Sequence, residues 1–141
     1  MMRIVVIDDE PLAREGVIAR LQSQADVILV GQYGDCDDAA AGLARDQPDL
    51  VFIDVQMPGI TGLDWLASVP LADRPMAVML TAYDAYAVRA FELQAIDYLL
   101  KPIDDQRFSE ALDRARQALP YRRQMTTGSR GSESNEEAVL E

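Results

Sequence analysis

Five short apolar runs are spread over the first hundred positions of the chain, at residues 3–7, 27–33, 50–53, 76–80 and 98–100. Runs such as IVVI, LVFI and AVML do not alternate polar with apolar residues. Uninterrupted runs of this length are typical of parallel strands that are buried on both faces. The pattern therefore predicts five strands of one parallel sheet.

Apolar residues between and after these runs recur with helical spacing. The first helix is marked by Ala13, Val17 and Leu21, and the last is marked by Phe108, Ala111, Leu112, Ala115 and Leu119. The alternation of strand and helix is repeated five times. It predicts an α/β fold, a doubly wound five-stranded parallel sheet with five helices and right-handed crossovers, whose functional crevice lies at the carboxyl ends of the strands.

The apolar pattern stops after Leu119, and this sets the expected domain boundary. Residues 1–119 are predicted to form one domain. Residues 120–141 are polar and rich in Gly and Ser, with little to bury, and are predicted to be a polar linker or disordered tail.

Charge narrows the possible partners. The 141 residues include 13 Lys and Arg against 24 Asp and Glu, which gives a formal net charge of -11. This balance argues against direct contact with nucleic acid or with an anionic membrane, because both require clustered cations. No apolar run is long enough to span a bilayer, and the N-terminus becomes acidic before a signal peptide could form, so a cytoplasmic protein is expected.

The chain contains no histidine and a single cysteine, Cys36. An intramolecular disulfide, a zinc site of the usual nitrogen and sulfur type, and catalysis by a Ser-His or Cys-His pair are therefore excluded. Any metal bound by this chain must be held by oxygen atoms.

Polar residues follow three of the predicted strands. Asp8 and Asp9 follow the first strand, Asp54 the third and Thr81 the fourth. Because the carboxyl ends of parallel strands lie side by side, three carboxylates and a hydroxyl are expected in one crevice. Such a cluster repels itself unless a cation lies within it. Mg²⁺ is the expected cation, since it prefers oxygen ligands and one or two carboxylates.

Lys101 is the only lysine among the 13 basic residues, and it follows the fifth strand. Its compact ammonium suits a phosphoryl oxygen or a carboxylate at the same edge. Each of these residues also has a purely structural explanation: an acidic helix cap, a turn at Asp54, an N-cap at Thr81 or a solvated lysine. Their coincidence at four strand ends favours one functional site.

The segments VVIDDEP, LVFIDVQMPGITGLD, MLTAYD and DYLLKP together resemble the receiver domain of two-component response regulators over residues 3–119. The resemblance implies the flavodoxin-like strand order 2-1-3-4-5 and a phosphorylation switch. Asp54 would accept a phosphoryl group from a phosphohistidine of a sensor histidine kinase. Asp9, Asp54 and the backbone carbonyl of Gln56 would hold Mg²⁺, and Asp8 would act on it through a water molecule.

The remaining roles follow from the same resemblance. Lys101 and Thr81 would contact phosphoryl oxygens, and the small Ala82 would leave the site open. Thr81 and Tyr98 would form the switch, in which the aromatic ring turns inward upon phosphorylation. The bond between Lys101 and Pro102 would be cis. Such a domain is a regulator that catalyses its own phosphorylation and slow dephosphorylation, and it is not a conventional enzyme.

The segment TAYDAYAVRAFELQAIDYLLKPI further resembles the LytR/AlgR branch, whose receivers precede a DNA-binding (LytTR) output domain that controls transcription. The output face would consist of the fourth helix, the fifth strand and the fifth helix. Mixed charges are expected on this face and suit a weak two-fold homodimer that forms upon phosphorylation. The face is expected to include Tyr86, Arg89 and Glu92 of the fourth helix, with Asp97, Asp113, Arg114 and Arg116 nearby.

Two other readings remain open from the sequence. A small haloacid-dehalogenase-like phosphatase also uses an aspartate nucleophile, Mg²⁺ and a lysine, but it expects a second acid two residues after the nucleophile, where this chain has Gln56. The other reading is a stand-alone or non-phosphorylated receiver that acts only by binding proteins.

Overall fold

The computed structural model describes residues 1–134 of the chain. Its five strands are β1 (Met2–Ile7), β2 (Val27–Tyr33), β3 (Leu50–Asp54), β4 (Met76–Thr81) and β5 (Asp97–Leu100). All five predicted runs are confirmed as strands. The structure differs mainly in adding Asp54 and Thr81 as the last residues of β3 and β4, so these two polar side chains have fixed strand positions.

The strands form one parallel sheet in the order β2-β1-β3-β4-β5. This confirms the predicted doubly wound topology. β1 and β3 lie side by side, and β4 and β5 follow on the same side of the sheet. Their carboxyl ends therefore meet at one edge, while β2 lies on the far side of β1.

Five helices connect and cover the strands. They are α1 (Pro11–Gln22), α2 (Cys36–Asp46), α3 (Gly62–Ser68), α4 (Ala87–Glu92) and α5 (Asp105–Ser134), with a 3-10 turn at Asp84–Tyr86 before α4. Tyr86, assigned to the fourth helix from the sequence, therefore lies in this turn. No helix among the described residues is both long enough and apolar enough to cross a membrane.

Alternate residues of each strand enter two separate hydrophobic cores. Ile4 and Val6 of β1 pack with α1 and α5 on one face, whereas Val5 and Ile7 pack with α2, α3 and α4 on the other. Phe52 of β3 stacks on a ring of α5, with the two ring centroids 5.3 Å apart. Burial on both faces explains why the strands are apolar at every position.

The fifth helix is longer than the apolar pattern predicts. It continues to Ser134, whereas the sequence predicts a polar linker from residue 120. The first turn beyond Leu119 is held by Arg122 and Arg123, whose guanidinium nitrogens lie 3.7 and 3.1 Å from the carboxylate of Asp49. The helix thus continues beyond residue 119, and these ion pairs tie its first additional turn to a distant part of the chain. Residues 135–141 of the predicted tail lie outside the described residues.

Candidate functional site

The carboxyl edge of the sheet brings four polar side chains together. Asp8 directly follows β1 and is fully buried, while Asp54 and Thr81 end β3 and β4 and are 4% and 1% exposed. Lys101 directly follows β5, and its backbone N–H donates to the carbonyl of Thr81 at 2.7 Å. Main-chain pairing therefore positions each side chain, as the strand-end pattern predicts.

Lys101 is the electrostatic centre of this edge. Its Nζ lies 2.9 Å from Oδ2 of Asp8, 3.0 Å from Oε1 of Glu10 and 3.4 Å from Oδ2 of Asp54. Carboxylate oxygens of these three acids all lie within 4.8 Å of one another. One ammonium thus balances three crowded carboxylates, and the local formal charge is -2 when all are ionised.

This crowding changes the acid strength of the groups involved. Burial raises the pKa of Asp54 to about 6, and the charge of Asp8 adds to the effect, while Lys101 and the N–H of Gln56 oppose it. For Lys101, burial alone lowers the pKa, but hydrogen bonds to Asp8 and Glu10 and the charge of Asp54 outweigh burial, so its pKa is raised. At neutral pH Asp54 is mostly ionised and Lys101 is charged.

The carboxylates that surround Lys101 differ in one member from the predicted set of Asp8, Asp9 and Asp54. Glu10, which the strand-end pattern does not place in the site, joins Asp8 and Asp54 around Lys101, whereas the side chain of Asp9 is exposed. Asp9 lies beyond the strand end, and its neighbour Glu10 reaches the ammonium. Two sequence features could have revealed Glu10: it completes a run of three acids, and the chain offers one lysine to neutralise them.

The loops around Asp54 define the mouth of the site. The backbone N–H of Gln56 donates to Oδ1 of Asp54 at 3.3 Å, and its side-chain amide donates to the hydroxyl of Tyr86 at 3.0 Å. At Gly62, where α3 begins, an added Cβ would lie 2.3 Å from the backbone oxygen of Asp54. This helix can therefore pack against the strand end only with glycine there. Ala82 is exposed at the mouth.

Thr81 and Tyr98, the predicted switch pair, both form hydrogen bonds with the main chain of Tyr83. Oγ1 of Thr81 accepts a hydrogen bond from the backbone N–H of Tyr83 at 3.1 Å, and the hydroxyl of Tyr98 donates to the backbone carbonyl of Tyr83. The ring of Tyr98 is half-buried against the core that contains α4. The two side chains are thus linked through the main chain of Tyr83. The bond between Lys101 and Pro102 is cis, which confirms that prediction.

The donor atoms of the site fit Mg²⁺. Three carboxylates offer oxygen ligands from within 4.8 Å of one another, and Mg²⁺ prefers oxygen ligands. No histidine is present in the chain, and the one cysteine, Cys36, is buried in a core. Among the described residues this cluster is the group of acidic side chains that could hold a cation.

The sequence profile described as "Response regulator receiver domain" matches residues 4–113. The chain belongs to this family. The receiver domain is 44% identical over 117 residues to "Transcriptional regulatory protein BtsR" of Escherichia coli (strain K12), in an alignment that covers 83% of this chain and 49% of that protein. It is also 40% identical over 119 residues to an "Uncharacterized response regulatory protein" of Shewanella oneidensis, covering 84% of this chain and 50% of that protein. The chain thus spans about half the length of the curated relatives it matches.

Solved structures agree with this assignment. The response regulatory domain of mrkE from Klebsiella pneumoniae superimposes with a TM-score of 0.76 at 28% identity, covering 85% of this chain and 99% of that domain. The signal receiver domain of the putative response regulator NarL from Mycobacterium tuberculosis superimposes with a TM-score of 0.72 at 33% identity. The superposition covers 82% of this chain and 96% of that chain. The chain is a receiver domain of a two-component response regulator, and the phosphatase alternative is wrong.

Proposed function

We propose that this receiver domain accepts a phosphoryl group from a phosphohistidine of a partner histidine kinase onto Asp54. The observation that carries the proposal is the buried Asp54 carboxylate at the end of β3, 3.4 Å from the ammonium of Lys101, the chain's only lysine. With its pKa at about 6, Asp54 is mostly ionised at pH 7 and can act as the nucleophile.

In this reaction an oxygen of Asp54 attacks the phosphorus atom, and the bond from phosphorus to the donor imidazole nitrogen breaks. The electron pair of that bond stays on the imidazole, and an acyl phosphate forms on Asp54. Lys101 and Thr81 donate hydrogen bonds to phosphoryl oxygens, and Ala82 leaves room for the incoming group. Positioning and charge balance of this kind are the main requirements of phosphoryl transfer. Slow hydrolysis of the acyl phosphate returns the domain to its starting state.

Asp9, Asp54 and the backbone carbonyl of Gln56 would hold Mg²⁺, with Asp8 acting through a water molecule. The ion supplies positive charge that reduces repulsion between the carboxylates and the incoming phosphoryl group. Asp9 is exposed and is the second residue after β1, so its side chain is free to turn toward the site. The buried Asp8 is already paired with Lys101, which suits a less direct role.

Labelling with acetyl phosphate tests this proposal. The intact mass should increase by one phosphate group in Mg²⁺ and remain unchanged in EDTA, because the ion lowers the repulsion at the site. Asp54→Ala should not be labelled. Asp73→Ala, which removes an exposed aspartate away from the site, is the control and should be labelled like the wild type. Unchanged labelling of Asp54→Ala would contradict the proposal, and a wild type that no donor labels would favour a receiver that acts by binding alone.

The output face is the second part of the proposal. On α4 the side chains of Val88 and Phe91 are 72% and 83% exposed, and Leu100 at the end of β5 is half exposed. Several of the charges predicted for this face are paired within the chain. Within the same chain Asp97 is paired with Arg107 and Arg114, and Arg116 is paired with Asp26 and Asp113. The proposed weak homodimer therefore draws on these exposed apolar side chains as well as on the predicted mixed charges.

Phosphorylation should strengthen this dimer through Tyr98. If the phosphoryl group draws the hydroxyl of Thr81 away from the N–H of Tyr83, the main chain of Tyr83 shifts. The carbonyl of Tyr83, which accepts the hydrogen bond from the Tyr98 hydroxyl, shifts with it, and the balance between conformations of the face changes. In sedimentation experiments the phosphorylated wild type should therefore associate more strongly than the unphosphorylated protein. Tyr98→Ala should be phosphorylated normally and lose this increase.

Two further variants test the contribution of the apolar surface of α4 to association, separately from that of the Thr81–Tyr98 switch. Phe91→Ala should weaken association with and without phosphorylation, because it removes exposed apolar surface. Leu12→Ala removes an equally exposed apolar side chain from α1 and should have no effect. A phosphorylated wild type that stays monomeric, or unimpaired association of Tyr98→Ala, contradicts this account of the output.

In the whole protein we propose that the output is transcription through a DNA-binding domain of the LytR/AlgR type. The support is the resemblance of residues 81–103 to that branch and the similarity to a transcriptional regulatory protein about twice as long as the matched region. The excess of acidic residues in the receiver assigns any contact with DNA to the other domain.

A further inference from the structure

The side chain of Glu10 forms a hydrogen bond with Lys101 that is unrelated to its position at the start of α1. It is the N-cap residue of α1, yet its side chain makes no capping hydrogen bond. Its Oε1 instead accepts a hydrogen bond from Nζ of Lys101 at 3.0 Å, across 91 positions of the sequence. A capping role therefore does not explain this carboxylate, and the contact with Lys101 does.

Of the three carboxylates around Lys101, only that of Glu10 can move into solvent. Its side chain is 65% exposed, against 0% for Asp8 and 6% for Asp54. The backbone of Glu10 is fixed, because its N–H donates to Oδ1 of Asp8 at 3.0 Å and Pro11 follows it. Only the side chain is therefore free to leave the ammonium, and its departure changes the local formal charge from -2 to -1.

We infer that Glu10 is a positioning residue that competes with the incoming phosphoryl group for the ammonium of Lys101. The inference rests on the proposed phosphorylation of Asp54. In the unphosphorylated domain Glu10 draws Lys101 toward the mouth of the site. When the phosphoryl group arrives, its oxygens replace the Glu10 carboxylate, which turns into solvent. Glu10 thereby lowers the rate at which donors phosphorylate Asp54.

The single lysine permits a direct test. Protein labelled with ¹⁵N-lysine contains one Nζ signal, that of Lys101. Glu10→Gln should shift this signal, because it removes a charged hydrogen-bond partner. It should also raise the rate of phosphorylation by acetyl phosphate about two- to fivefold below donor saturation, the size expected for a largely exposed ion pair. Glu15→Gln, on the exposed side of α1, is the control and should change neither quantity.

Glu10→Asp distinguishes the effect of the contact with Lys101 from the effect of the negative charge at position 10. It keeps the negative charge, but its side chain is one methylene shorter and does not reach Lys101 in the same backbone position. The inference requires Glu10→Asp to resemble Glu10→Gln in both measurements. A Glu10→Asp variant that behaves like the wild type would show that charge alone matters, and an unshifted Nζ signal in Glu10→Gln would show that the contact is absent; either result overturns the inference. Failure of the wild type to be phosphorylated, with the Nζ shift intact, would contradict the proposed function instead.

Discussion

Asp54→Asn is expected to make the domain more stable than the wild type at pH 7 in the presence of EDTA. Burial and the charge of Asp8 raise the pKa of Asp54 to about 6 from an ordinary value of 3.8. Ionised Asp54 therefore destabilises the folded state, and asparagine removes that charge while keeping the shape. A shift of this size corresponds to about 3 kcal/mol, from ~1.4 kcal/mol for each pKa unit.

The predicted gain in stability of Asp54→Asn depends on pH. Between about pH 4 and pH 6 the folded protein binds a proton at Asp54 that the unfolded chain has already lost, so the contribution of Asp54 to stability falls as pH rises through this window. The advantage of Asp54→Asn should therefore be complete above pH 6 and absent below pH 4. Urea unfolding across pH 4 to 8 measures it, with the exposed Asp73→Asn as control. An advantage that is the same at pH 4 and pH 7 would contradict the argument.

The parts of this structure that were predicted from sequence are those that the backbone determines. A run such as IVVI is apolar throughout only if both faces of the strand are covered, and Val5 and Val6 do enter opposite cores. Strand pairing then brings Asp54 and Thr81 to one edge without any knowledge of side-chain contacts.

The remainder depends on interactions between residues far apart in sequence. Whether Asp9 or Glu10 meets the ammonium depends on side-chain conformation beyond the end of β1, which strand periodicity does not determine. The first turn beyond Leu119 is tied to the domain by Arg123, which pairs with Asp49 across 74 positions. A pair between residues so far apart leaves no local sequence pattern, so the polar composition of residues 120–141 predicts a linker or a disordered tail.

Lys101→Met is expected to be the most destabilising single substitution at the site. The ammonium lies within 3.4 Å of three carboxylates, and Asp8 is fully buried. Loss of one partner of a buried pair typically costs about 3–5 kcal/mol, because the other charge remains unbalanced; partial exposure of Lys101 reduces the expected loss below this range, to about 2–3 kcal/mol. Urea unfolding at pH 7 in EDTA measures this loss. Arg89→Met, which removes an exposed cation on α4, is the control and should have little effect.

A second substitution distinguishes lost charge balance from lost packing. If unbalanced charge is the cause, adding Asp8→Asn to Lys101→Met should restore much of the stability, because it removes the buried carboxylate that lost its partner. Mg²⁺ should likewise stabilise Lys101→Met more than it stabilises the wild type, since a ligand that binds the folded state shifts unfolding in proportion to its affinity. If neither change restores stability, the methylene stem of Lys101 contributes through packing, and the charge balance at this edge is not what holds the site together.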